Sequence, residues 1–232
     1  MYDYFNETGN YLCGNATMFL RKLIVYEMIN EQKDKSIIDI GCGNGYISIP
    51  YLTYNHVTFL DLSKNMLEET KRNIPEKLIN NAEFCNTSIE KYNQKNNFDV
   101  VLLIGVLAHV ENVENCISQI SKLIKKKGIC IVQVTNYDKF IAKTLITYSK
   151  FRKLIITPKS DYDTNIMSRD SVVNVFLKYG FSLIDEKSYF PSFPGFRFLT
   201  QKTRIKLLMK TYDTKLASII SSELLFKFTK TD

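Results

Sequence analysis

The stretch from Ile37 to Gly45, Ile-Ile-Asp-Ile-Gly-Cys-Gly-Asn-Gly, constrains this chain more than any other. An apolar run, one acid and a glycine turn before an expected helix describe a buried parallel strand that ends at a ligand. The glycines let the backbone turn tightly and let a ligand approach where a Cβ would stand in the way. The pattern is G-x-G-x-G, with Asp39 two residues before the first glycine. The dinucleotide fingerprint G-x-G-x-x-G needs a glycine at position 46, where this chain has Tyr46. The missing glycine argues against a pyrophosphate, and the carboxylate suits a ligand that is cationic at that end.

Downstream, apolar β-branched runs alternate with amphipathic stretches. Strands are expected at Ser36–Ile40, His56–Leu60, Ala82–Cys85, Phe98–Ile104, Gly128–Val134 and Phe181–Lys187. Helices are expected from Gly45 to Leu52 (shortened or bent by Pro50), from Ser63 to Asn73, from Val113 to Lys125 and from Ser168 to Tyr179, with Ser63 as a cap and Gly180 as a stop. This βαβα order predicts an α/β fold with a doubly wound, mostly parallel sheet. An amphipathic helix over about Asn15–Ile29 precedes it. Residues 136–168 break the alternation and read as a small, basic, helical cap insertion. Phe190–Thr200 reads as a turn and a short last strand over Phe196–Thr200. Residues 202–227 read as one or two basic helices. The units expected are thus 1–34 as an N-terminal lid and helix, 35–201 as the ligand-binding domain, and 202–232 as a C-terminal basic segment.

The 232 residues suit one such domain with additions, and an apolar fraction of 45% provides a full core. No apolar run reaches the eighteen or so residues of a membrane span, and the first residues are neither basic nor followed by an apolar stretch. The five cysteines, at 13, 42, 85, 116 and 130, are scattered and odd in number. That favours a reducing cytoplasm over a disulfide framework or a zinc site. The net charge of +7 fits a solvated basic surface, with contact to an acidic partner or membrane as the alternative.

Asp61 ends the second strand, twenty residues after Gly41. In a doubly wound sheet an acid there reaches ribose hydroxyls; it also suits a cap for the following helix. Phe98-Asp99-Val100-Val101-Leu102-Leu103-Ile104-Gly105-Val106-Leu107-Ala108-His109 is a central strand and its loop. His109 is one of two histidines, and imidazole takes a proton near neutral pH; packing at a helix start is its alternative role. His56, at the opposite end of a strand, reads as structural.

The glycine loop and the strand-four segment together resemble motifs I and IV of the class I methyltransferases that use S-adenosylmethionine (SAM), over roughly residues 35–135. The resemblance implies a Rossmann-like, seven-stranded fold and SAM as cofactor. It implies that Gly41, Cys42, Gly43 and Gly45 wrap the methionine part, that Asp39 supports its ammonium and Asp61 holds the ribose. Leu62 and Met66 would line the adenine pocket, Ile104 would lie beside the sulfonium, and His109 would be the base. The family usually carries an acid after strand three. Thr87 stands there, so adenine would be read by Thr87 and the backbone of Ser88 and Ile89. The acceptor implied is a small molecule, methylated on oxygen or nitrogen, and the Asn/Asp-Pro-Pro-Tyr motif of nucleic-acid base methylation is absent after strand four. Tyr4, Tyr11, Phe193, Phe196 and Arg197 are the candidates for acceptor binding. The basic C-terminal segment is a candidate membrane-surface contact. Two rivals stand beside this reading. One is an NAD(P)-dependent oxidoreductase, opposed by Tyr46 and by the lack of a Tyr-x-x-x-Lys pair after strand four. The other is a non-catalytic SAM-binding or membrane-associated partner protein. The residues select neither an acceptor nor an oligomeric state.

Overall fold

The structure is a computed structural model that describes residues 16–30, 32–95, 97–135, 167–189, 198–214, 217, 221 and 223–231. Its centre is one sheet of seven strands: β1 (Ser36–Ile40), β2 (His56–Leu60), β3 (Ala82–Cys85), β4 (Phe98–Ile104), β5 (Ile124–Thr135), β6 (Phe181–Tyr189) and β7 (Glu223–Lys230). The order across the sheet is β3-β2-β1-β4-β5-β7-β6. The first five are parallel; β7 lies antiparallel between β5 and β6. The chain order reverses between β1 and β4, where a doubly wound sheet opens a crevice at its carboxyl edge.

The central strands are apolar along their length because both faces are covered. Ile37, Val57, Val100, Leu102 and Ile131 belong to one core, and Ile38, Ile40, Val101, Leu103 and Val132 to the other. That is the two-residue period of a strand. The first face is covered by helix α1 (Ala16–Ile29), through Leu20, Ile24 and Met28, and by Leu67 of α2 (Lys64–Asn73). The second is covered by α3 (Val113–Leu123), through Cys116, Ile117 and Ile120, and by α4 (Arg169–Lys178), through Val172 and Phe176. Ser63, Asn112 and Ser168 cap α2, α3 and α4, each accepting from the backbone N–H three residues on.

Three expectations are corrected. First, the chain after the glycine loop does not form an α-helix. It passes through turns into a short 3-10 helix, Ile49–Thr53, because Pro50, sixth in the expected helix, has no N–H to donate to the Tyr46 carbonyl and its ring would clash there; Pro50 is instead accommodated in the first turn of the 3-10 helix. The loop therefore aims no long helix dipole at its ligand. Second, the segment expected to be basic helices begins with α5 (Gln201–Thr211), which packs on α1, but its described residues end in a strand. β7 is buried on both sides, with Leu224, Leu225, Phe226 and Phe228 almost wholly enclosed. Phe228 stacks on Phe176 with ring centroids 4.1 Å apart. Third, Phe198–Thr200 is not a strand but the lead into α5, where Thr200 accepts from the N–H of Thr203. The cap insertion at 136–168 lies outside the described residues except for Met167 and Ser168. No described helix is long and apolar enough to cross a membrane.

Candidate functional site

The carboxyl ends of β1, β2 and β4 meet at the glycine loop. Gly41, Gly43 and Gly45 all have positive φ. At Gly41 the need is also steric, because a Cβ would lie 2.5 Å from Val106 Cγ2 in the loop after β4. At Gly45 a Cβ would come within 2.8 Å of Thr70 and 2.9 Å of Ile49, so this glycine serves packing against α2 and the 3-10 turn. The loop is tied to β2: Gly41 and Cys42 donate their N–H groups to the Leu60 carbonyl at 2.7 and 3.2 Å. Thr70 of α2 donates to the Gly43 carbonyl at 2.7 Å, and Asn73 to that of Asn44 at 3.2 Å.

Two carboxylates flank this loop. Asp61 accepts from the Gly43 N–H at 2.9 Å with one oxygen and from the Ser63 N–H at 2.8 Å with the other. It is partly buried, and burial raises its pKa despite those two donors. Asp39 lies beneath the loop, 3% exposed, and accepts from the hydroxyl of the fully buried Ser48 at 2.5 Å. Burial, added to by the nearby Asp61 charge and opposed by Ser48, pushes Asp39 up to about 7. The Cys42 thiol is held far above its usual range, first by burial and then by both acids, so it is no nucleophile at neutral pH.

Of the residues assigned to the adenine side, Leu62 is 59% exposed, Met66 is buried at 6%, Ile89 is buried, and Thr87 and Ser88 are half-buried in the turn after β3. Their neighbour Asn86 donates to the carbonyls of both Asp61 and Leu62 at 3.0 Å, and so shapes this wall. Asn86, Thr70 and Asn73 escaped the sequence reading because each acts on backbone and belongs to no motif.

Ile104 ends β4, half-buried, and Gly105 turns the chain with φ +76°. His109 follows, with its N–H donating to the Val106 carbonyl at 2.8 Å. Its ring is exposed at the rim of a pocket of about 240 Å³, whose wall includes Arg21, Gly105, Gln133, Thr135 and Glu223. Partial desolvation lowers the His109 pKa, which keeps the imidazole neutral and able to accept a proton at neutral pH. Val106 joins the two halves of the site: its side chain touches the glycine loop, and its carbonyl holds the backbone of His109. His56 starts β2, at the far edge of the sheet. Tyr4, Tyr11, Phe193, Phe196 and Arg197 lie outside the described residues. Among the described residues no group of three or more His, Cys, Asp or Glu is placed to hold a metal ion.

The donor set fits a ligand with a cationic amine at one end and hydroxyls and an apolar ring at the other. A buried carboxylate lies under the loop, a second carboxylate stands at the β2 end, and an exposed leucine lies beyond it. Comparison with known proteins agrees. A family model described as a methyltransferase domain matches residues 31–170. The ubiquinone biosynthesis O-methyltransferase of Rickettsia typhi is 28% identical over 189 residues, covering 71% of this chain and 75% of that protein. Its counterpart in Rickettsia conorii is 28% identical over 156 residues, 60% of this chain, and the match spans only 54% of that protein. The magnesium protoporphyrin IX methyltransferase of Synechocystis PCC 6803, solved with bound S-adenosylhomocysteine (SAH), shares the fold with a TM-score of 0.65 at 16% identity, covering 93% of this chain and 83% of that one. With its glycine loop, its two flanking acids and a methyltransferase-domain match over more than half its length, this chain belongs to the class I methyltransferases, which use S-adenosylmethionine as methyl donor.

Proposed function

We propose that this enzyme methylates an oxygen of a small acceptor held in the pocket at the carboxyl edge of β4 and β5. The observation that carries the reading is the placement of that pocket. Val106, between the pocket-lining Gly105 and Leu107, packs against Gly41 on the cofactor side and accepts from the His109 backbone N–H at the pocket rim, so the loop after β4 runs from the donor loop to the acceptor pocket. Oxygen is favoured because the two curated relatives above are O-methyltransferases.

SAM supplies a methyl group that is already activated, so the chain's task is alignment and removal of one proton. Gly41, Cys42, Gly43 and Gly45 hold the methionine part through backbone, Asp39 supports its ammonium, and Asp61 holds the ribose. Leu62, Met66 and Ile89, with Thr87 and Ser88, form the adenine side, and Ile104 borders the reacting centre. His109, neutral at the working pH, takes the acceptor's hydroxyl proton as its oxygen attacks. The free cysteines among the described residues, Cys42, Cys85, Cys116 and Cys130, suit a reducing cytoplasm.

Incubation with SAM and a panel of small hydroxy and amino compounds, followed by mass spectrometry and carbon NMR of the products, tests the reading. An O-methyl product and SAH in equal amounts are expected. Products methylated only on nitrogen, or on none of the panel, count against it.

A specific observation also supports contact with an anionic membrane surface. α5 exposes Lys202, Lys206 and Lys210 together with Leu207 (37%) and Met209 (42%), and Phe198 just before it is 78% exposed. Co-sedimentation with vesicles containing phosphatidylserine, lost in Lys206→Glu/Lys210→Glu, is the expected result; equal recovery with neutral vesicles speaks against it.

A further inference from the structure

Behind the pocket rim lies a polar cluster that four elements build and the methyl-transfer chemistry does not use. Arg21 of α1 donates from Nε to the Tyr189 hydroxyl of β6 at 2.8 Å, and its Nη2 lies 3.7 Å from Glu223 Oε2 of β7. Thr135 Oγ1 donates to Glu223 Oε1 at 3.0 Å, and Gln133 Nε2 donates to Glu223 Oε2. All are largely enclosed: Tyr189 is 0%, Gln133 4% and Glu223 7% exposed.

The carboxylate fixes the Gln133 amide. A carboxylate only accepts, so the NH2 must face Glu223 and the carbonyl must face away. That carbonyl, Gln133 Oε1, is buried and has no hydrogen-bond partner among the described residues. Gly105, in the same pocket wall, explains where it points. A Cβ at Gly105 would lie 3.5 Å from Gln133 Oε1 and 3.8 Å from Arg21 Nη1, so at this pocket-lining glycine no side chain stands over either atom, and a ligand that enters beside Gly105 meets the buried acceptor. An unsatisfied buried acceptor costs about 1–3 kcal/mol, which a ligand donor recovers on binding.

Charge narrows the class of ligand. The Arg21 guanidinium opposes an ammonium here. A ligand carboxylate offers no donor to Gln133 and meets Glu223. We infer that the pocket selects acceptors carrying a neutral hydroxyl besides the one that is methylated, whose O–H donates to Gln133 Oε1 beside Gly105, with Glu223 and Arg21 acting as positioning residues that hold the amide in that orientation. The inference rests on the proposed function only in that this pocket receives the methyl acceptor.

Two probes of similar size, 4-fluorophenol and 4-fluorotoluene, separate the hydroxyl from the ring. Their binding to the full chain, with and without saturating SAH, is read by fluorine NMR line broadening, after SAH affinity has been measured. Wild type is expected to prefer the phenol about tenfold, although the toluene is the more apolar. In Gln133→Leu that preference is expected to vanish, while 4-fluorotoluene and SAH keep their affinities. If the variant does not fold, as judged by its melting curve, the wild-type preference alone decides. Equal binding of the two probes to wild type, no binding of the phenol, or a preference that survives in Gln133→Leu would overturn the inference and leave the methyltransferase reading intact. A phenol preference without SAH binding would overturn the proposed function and leave the hydroxyl site standing.

Discussion

Asp39 gives the proposed cofactor site a pH dependence with a definite sign. Its carboxyl is buried beneath the glycine loop, and its pKa is pushed up to about 7. If the cofactor's ammonium sits over this carboxylate, binding favours the ionised form, and the bound pKa falls below the free one. Affinity must therefore rise as pH rises through about 7. With a pKa of about 7, roughly three quarters of the protein carries the carboxylate at pH 7.5 and about 3% at pH 5.5. SAH binding is thus expected to weaken about 25-fold over that interval, or about 1.9 kcal/mol, and to release close to one proton at pH 6. Calorimetry in two buffers of different ionisation enthalpy measures both quantities. The His109→Ala background removes the imidazole that also titrates nearby, and Asp39→Asn should abolish the slope. Stability carries the same sign. A carboxyl whose folded pKa is raised stabilises the fold while protonated, and that contribution is lost as pH rises through about 7. The cofactor-free protein should melt earlier at pH 8 than at pH 6, and SAH should recover more of the loss at pH 8. Affinity constant within twofold between pH 5.5 and 7.5, or rising toward acid, would refute the ammonium–Asp39 pairing.

Gly41→Ala places a methyl 2.5 Å from Val106 in a backbone with φ +67°, so it should cost about 2–4 kcal/mol in chemical denaturation, part of which Val106→Ala should restore. His109→Ala should lower kcat by about 100-fold or more with SAH affinity unchanged; in wild type, activity should fall only below the usual histidine range near 6.5, because desolvation lowers this imidazole's pKa. Phe228→Ala, which removes a fully buried ring stacked on Phe176, should destabilise the protein by about 3–5 kcal/mol in urea unfolding, whereas a C-terminal helix packed on the surface would lose far less.

The parts of the fold legible in the sequence are those whose signals are local. Ile37–Ile40 and Phe98–Ile104 are apolar runs bounded by turns, and buried parallel strands require such runs. Ser63 and Ser168 announce their helices because a cap acts on the backbone three residues away. The helix expected at Gly45–Leu52 failed where Pro50 outweighed the apolar spacing. β7 was missed for a different reason. Leu224–Lys227 follows the basic α5 within the stretch expected to be helical, and nothing local says that the chain will insert between β5 and β6. The amphipathic helix expected over Asn15–Ile29 is α1, which encloses Leu20, Ile24, Val25, Met28 and Ile29 and leaves Tyr26 51% exposed. The glycine loop, Asp39, Asp61 and His109 were visible because motif spacing marks them. Arg21, Gln133 and Glu223 lie on three separate elements, 90 and more residues apart, and only the sheet order brings them together.

Calorimetric titration of the protein with SAM and SAH, with NAD as control and Asp61→Ala as variant, tests the central claim most directly. The variant removes the acceptor of both the Gly43 and the Ser63 N–H groups. Micromolar binding of the two sulfur nucleosides, none of NAD, and a loss of at least tenfold in the variant are predicted. Wild-type protein that folds and binds neither SAM nor SAH, or that binds NAD instead, would contradict the account.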